Sequence, residues 1–169
     1  MSEAIITVTN IQTGSAILTS YPYRPDRSIR YRVPLYRVTV SGTNSAGKKV
    51  STNFEAIRFG VKRTETIAAH VVGLADVQNY TLTWSFITTM SEMAWRVYAG
   101  FFVHRGPAHP LTENFGSIGC IEITGVGKWA EFNALILTLT GAASEGEVSR
   151  DRLAKIFYQA ATRPPLVIV

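Results

Sequence analysis

The chain has 169 residues, 46% of them hydrophobic and 17% charged, with a formal net charge of +5. That length buries a sizeable core without staples, so residues 1–169 are expected to form a single domain, and the apolar content excludes a disordered chain. No apolar run approaches the roughly 20 residues needed to span a bilayer, and the one cysteine, Cys120, excludes an internal disulfide and a thiolate-rich zinc site.

The first two-thirds of the chain reads as β-structure. Period-two or β-branched runs cover residues 4–11, 15–21, 29–40 and 49–61, and continue through 70–74, 80–88 and 95–104. Turn residues separate them at Thr13-Gly14, Pro22 to Pro25, Ser41-Gly42, Asn44 to Gly47 and Asp76 to Asn79. Short strands at regular spacing predict a mainly β sandwich or barrel rather than βαβ units. Arg24, Arg27, Arg30, Arg32 and Arg37 crowd one stretch, with Lys48 and Lys49 close behind. They read first as a solvated strand face, because they alternate with apolar residues, and second as a surface for an anionic polymer.

The last third changes period. Trp129, Phe132, Leu135, Ile136 and Leu139 recur at helical spacing and predict a helix over 128–140. Ser144-Glu145-Gly146-Glu147 has the form of a capping box, and Leu153, Ile156, Phe157 and Ala160 fit a second amphipathic helix. Pro164-Pro165 ends it, and 166–169 reads as a terminal strand.

There is no Walker loop, no dinucleotide-type glycine fingerprint and no His-Glu-x-x-His helix, so neither cofactor nor metal is expected. Of the three histidines, His70 falls in an apolar strand and His109 lies between Ala108 and Pro110 in a loop. His104 differs. A strand runs into it and stops at Gly106-Pro107, so a rigid sheet can aim its ring. A loop of small and polar residues then leads to Ser117-Ile118-Gly119-Cys120, directly before the strand-like Ile121-Glu122-Ile123-Thr124. A thiol near pKa 8.5 becomes a useful nucleophile when a histidine takes its proton, and Gly119 permits a tight turn whose amides can face an oxyanion. A buried structural cysteine is the competing reading.

The pattern His104…Ser117-x-Gly119-Cys120-Ile121 resembles the active-site signature of the L,D-transpeptidases, the YkuD-type domain, over roughly residues 94 to 124. The resemblance implies a YkuD-like β-sandwich or barrel with two C-terminal helices and a terminal strand. It implies a cysteine acyl-transferase or peptidase (L,D-transpeptidase, L,D-carboxypeptidase or D-amino-acid exchange) acting on peptidoglycan tetrapeptide stems. Cys120 is then the nucleophile and His104 the base. Gly119 and Cys120 supply oxyanion amides, and the Arg105 carbonyl orients the ring. Ser117 shapes the turn or binds substrate, and Arg105 is the candidate substitute for the arginine or asparagine that the family usually carries where this chain has Glu122. The N-terminus shows no basic segment followed by an apolar core. The expected site of action is therefore the periplasm or cell wall after non-classical delivery, as for type VI secretion effectors, whose toxicity is neutralised by an immunity protein. A non-enzymatic β-domain that binds an anionic polymer or protein through the arginines is the alternative, and nucleic acid is not expected as a partner.

Overall fold

A computed structural model describes residues 1–18, 30–58, 79–88, 90–98, 100–113, 120–161 and 167–169. Among these, the chain runs β1 (Ala4–Leu18), β2 (Tyr31–Thr43), β3 (Lys49–Ile57), β4 (Asn79–Thr81), β5 (Thr83–Ile87), β6 (Glu92–Tyr98), β7 (Phe101–Arg105), β8 (Ile121–Thr124), α1 (Lys128–Thr140), α2 (Glu145–Arg150), β9 (Ala154–Tyr158) and β10 (Val167–Ile168). The protein is mainly β, as its alternating runs predict, with two short helices. The described strands form one ten-stranded sheet in the order β4-β9-β1-β2-β3-β8-β7-β6-β5, and β10 pairs with β2.

The two ends of that order are successive pieces of one segment. β4 pairs with β9, while β5, just beyond Leu82, pairs with β6. Between them the Leu82 amide donates to the Ala154 carbonyl at 2.9 Å. Tyr80 of β4 also lies against Tyr98 of β6, with ring centroids 5.7 Å apart. The sheet thus turns back on itself, which limits the open edge that the described strands offer for pairing with other chains.

One face of the sheet carries the main core. Ile6, Val8, Val38, Val40, Phe54, Trp95, Val103, Ile121 and Ile123 are buried there with Phe132, Ile136 and Leu139 of α1 and Val148 of α2. α1 occupies the predicted range. Its apolar stripe meets the sheet, and Gly127 and Gly141 bracket it with left-handed backbone (φ 68° and 74°), which glycine adopts without strain. The Trp95 indole donates to Asn133 Oδ1 at 2.7 Å and fixes the helix to the strand beneath it.

Several expectations are corrected. The second C-terminal helix is only α2, six residues long. Ser144 caps it by accepting from the Glu147 amide at 3.2 Å, while the Glu147 carboxylate accepts from the Ala143 amide at 3.1 Å. Leu153, Ile156, Phe157 and Ala160 do not share a helix. Ala154, Ile156 and Tyr158 alternate with outward-facing neighbours in β9, which pairs in parallel with β1 from Ala4↔Ala154 to Val8↔Tyr158. The pairing partner lies at the other end of the chain, so helical spacing there was coincidental.

Thr13-Gly14 is not a turn: β1 continues through it, and its register against β2 shifts at Gln12 and Gly14. Ser41-Gly42 likewise lies inside β2. The hairpin turns at Asn44–Gly47, where the Asn44 side chain accepts from the Ala46 and Lys48 amides at 3.0 Å each. Residues 95–104 are not one strand but fall in the antiparallel pair β6 and β7. The predicted terminal strand contains β10. His70 with the predicted strand 70–74, the residues Ser117, Ile118 and Gly119, and the turn residues Pro22 to Pro25 and Asp76 to Gln78 lie outside the described residues.

Candidate active site

β7 and β8 are parallel neighbours, and His109 lies on the connection between them. The register is Val103↔Ile121, His104↔Glu122 and Arg105↔Ile123. Parallel strands need a crossover, and the start of this one is pinned by two hydrogen bonds to the far end of β8. The Gly106 amide donates to the Ile123 carbonyl at 2.8 Å, and the Gly125 amide to the Pro107 carbonyl at 3.0 Å. Gly106 is required by close approach, because a Cβ there would lie 2.8 Å from the Ile123 carbonyl oxygen and 3.0 Å from Glu122 Cβ. Further along, the Ile17 amide donates to the Pro110 carbonyl at 2.8 Å, tying the connection to β1. His109 is exposed, and its carbonyl accepts from the Thr112 and Glu113 amides.

His104 is 4% exposed and sits between Ala94 of β6, its partner by the Trp95↔Val103 register, and Glu122 of β8. Nδ1 lies 2.8 Å from the Arg105 carbonyl oxygen. A carbonyl can only accept, so Nδ1 carries the proton and Nε2 of the neutral ring keeps its lone pair. Burial holds the imidazole below its usual pKa. The Arg105 carbonyl bond and the Glu92 carboxylate pull the other way, and the Arg105 guanidinium adds to the depression. The ring is therefore neutral and basic at neutral pH, the form a proton acceptor needs. Arg105 itself points to solvent and pairs with Glu92 at 3.4 Å.

Cys120 immediately precedes β8 and is partly buried. It packs beside Phe102, Ala94 and Ile87, with Met90 and Trp129 next to the same cluster. Carrying the β7–β8 register back one step sets Cys120 opposite Phe102. Side chains two apart on a strand share a face, so Cys120 and Glu122 lie on the His104 side of the sheet, opposite the main core. Strand spacing and rise put the Cys120 and His104 backbones about 8 Å apart on that diagonal, within reach of facing side chains.

Two buried ionisable groups near this region were not singled out from the sequence. Arg58, just past the end of β3, is 3% exposed and donates from Nη1 to the Thr9 carbonyl at 2.7 Å and from Nη2 to the Gln159 carbonyl. Its guanidinium lies 5.7 Å from the Tyr36 ring centroid and 6.0 Å from that of Tyr158. The Tyr158 hydroxyl is raised far above its usual pKa, first by burial and next by the charge of Cys120, against the pull of Arg58. The only sequence signal for Arg58 was a cation inside the predicted run 49–61.

Glu122 was visible as a carboxylate inside Ile121-Glu122-Ile123-Thr124, and all four residues are buried. Among the described residues no three His, Cys, Asp or Glu side chains converge as a metal site, and no helix is long and apolar enough to cross a membrane. The chain matches no family model, no curated protein and no solved structure.

Proposed function

We propose that the protein is a cysteine acyl-transferase of the L,D-transpeptidase kind, with a YkuD-like fold, acting on peptidoglycan tetrapeptide stems. One observation carries this reading: Nδ1 of His104 is held at 2.8 Å by the carbonyl of the next residue, on the strand beside the one that begins after Cys120. That bond leaves Nε2 as the base, on the same side of the sheet as the thiol.

In the proposed reaction, Nε2 takes the Cys120 proton and the thiolate attacks the carbonyl of the L,D-peptide bond next to diaminopimelate. The tetrahedral oxyanion is held by the backbone amides of Gly119 and Cys120. His104 then protonates the departing D-alanine amine as the C–N bond breaks, leaving a thioester on Cys120. An amine acceptor or water resolves the thioester, with His104 again removing the proton from the attacking group. Ser117, which lies outside the described residues, is a proposed substrate contact beside the nucleophile. Arg105, exposed at the end of β7 beside Glu92, is the proposed contact for a substrate carboxylate.

The test is incubation with purified peptidoglycan followed by muropeptide analysis. Loss of D-alanine from tetrapeptides, abolished by Cys120→Ala and by His104→Ala, supports the reading; unchanged muropeptides together with an unreactive thiol sink it. An effector role adds a second expectation, growth inhibition when the protein is directed to the periplasm and none when it stays in the cytoplasm.

A further inference from the structure

Glu122 occupies a position that the reaction above does not use. It is 0% exposed, it is the direct cross-strand partner of His104, and its Oε1 lies 3.8 Å from His104 Nε2. That distance is too long for a hydrogen bond but close enough for a strong Coulomb interaction in a site shielded from water. The geometry is fixed from three directions. Parallel pairing locks the two backbones. The Arg105 carbonyl holds Nδ1, so Nε2 is the one ring nitrogen that can exchange a proton. The backbone at Gly106 closes over Glu122, leaving no room even for a methyl group.

We propose that Glu122 is a positioning residue that acts through His104, its carboxylate stabilising the imidazolium that forms when Nε2 accepts the Cys120 proton. This rests on the acyl-transfer reading. The step moves one proton from Sγ to Nε2, giving a thiolate and an imidazolium with no change in the net charge of the site. Burial alone disfavours that separation of charge, since an isolated cation in this environment loses its hydration. A carboxylate beside the ring offsets the loss at the moment the cation appears. The charged groups facing the ring among the described residues are Glu92 from β6, Arg105 from β7 and Glu122 from β8. Glu92 also pairs with the exposed Arg105. Glu122 is thus the carboxylate placed at the reactive nitrogen, 3.8 Å from it.

The decisive experiment is an NMR titration of the His104 ring in the full chain and in Glu122→Gln, an isosteric change that removes only the charge. His104 is assigned by difference from His104→Gln. The expected result is a proton affinity for His104 that is about tenfold weaker in Glu122→Gln, one pH unit in the inflection. In the unsubstituted chain the Glu122 side-chain carboxyl carbon should show an inflection at the pH where His104 titrates, which decides the matter even if the variant does not fold. In an active enzyme, the acid limb of kcat/KM for D-alanine release, set by deprotonation of His104, should move to lower pH in Glu122→Gln. A His104 titration identical in both proteins, with no response at Glu122, overturns the proposal while leaving the acyl-transfer reading intact. Coupled titration in a protein that releases no D-alanine supports the pair and overturns the acyl-transfer reading.

Discussion

Trp95 and Asn133 are joined by a buried 2.7 Å hydrogen bond from the indole nitrogen to Oδ1, a polar tie between α1 and β6. β6 lies directly beside β7, so the helix is referred to the strand that carries His104. Asn133→Leu removes the acceptor and strands the indole N–H away from water. The expected cost is about 1–3 kcal/mol of unfolding free energy, measured by urea denaturation. A Trp95→Phe, Asn133→Leu double variant should lose less than the sum of the two single changes, because the unpaired donor is gone.

Cys120 is partly buried beside Phe102 and Ala94, so Cys120→Ala removes one sulfur from the edge of a packed cluster. The expected loss of stability is small, about 1 kcal/mol or less, and thermal melting should show a folded protein. Under the proposed acyl transfer, muropeptide turnover should nevertheless vanish. Comparable losses of fold and activity in this variant would instead assign Cys120 a packing role.

His104 is neutral in the folded protein because burial lowers its pKa, whereas the unfolded chain titrates near 6.5. Below that value the unfolded state binds the extra proton more readily. This contribution to stability is therefore complete above about pH 6.5 and is lost as the pH falls toward the folded pKa, by at most about 1.4 kcal/mol per pH unit. Melting temperatures of His104→Gln measured from pH 5 to pH 8 should fall less steeply with acid than those of the parent chain. Parallel profiles would mean that other groups govern the acid limb.

Gly106 admits no side chain, since even a Cβ would meet the Ile123 carbonyl oxygen at 2.8 Å. Gly106→Ala must therefore push the end of β7 away from β8 or strain both. A loss of about 1–3 kcal/mol is expected, together with a fall in D-alanine release beyond what the melting curve explains, because the displaced segment adjoins His104. Unchanged stability would mean that the crossover is looser than its two pinning hydrogen bonds imply.

The helix over 128–140 was legible because its apolar stripe is a local signal, and the same holds for the turn at Asn44–Gly47. The end of β7 at Arg105 was equally local, announced by Gly106-Pro107. β9 was not legible. Five residues of alternating burial are too few to outweigh a helical spacing that runs past them, and their partner strand begins at Ala4. The division into β6 and β7 was hidden for a related reason, since the sequence from Trp95 to Val103 reads as one long, largely apolar run.

Residue type and spacing alone were enough to define the chemistry available: one thiol, a histidine at the end of a strand, and a small-residue stretch before the thiol. The Arg105 carbonyl at Nδ1 agrees with what the resemblance implied. Two further facts came from tertiary structure: His104 and Glu122 are cross-strand partners, and Glu122 is sealed from water. Register between strands separated by a loop depends on which faces the whole sheet buries, and that energy is summed over β3, β7 and β8 together. No window of sequence around either residue contains it.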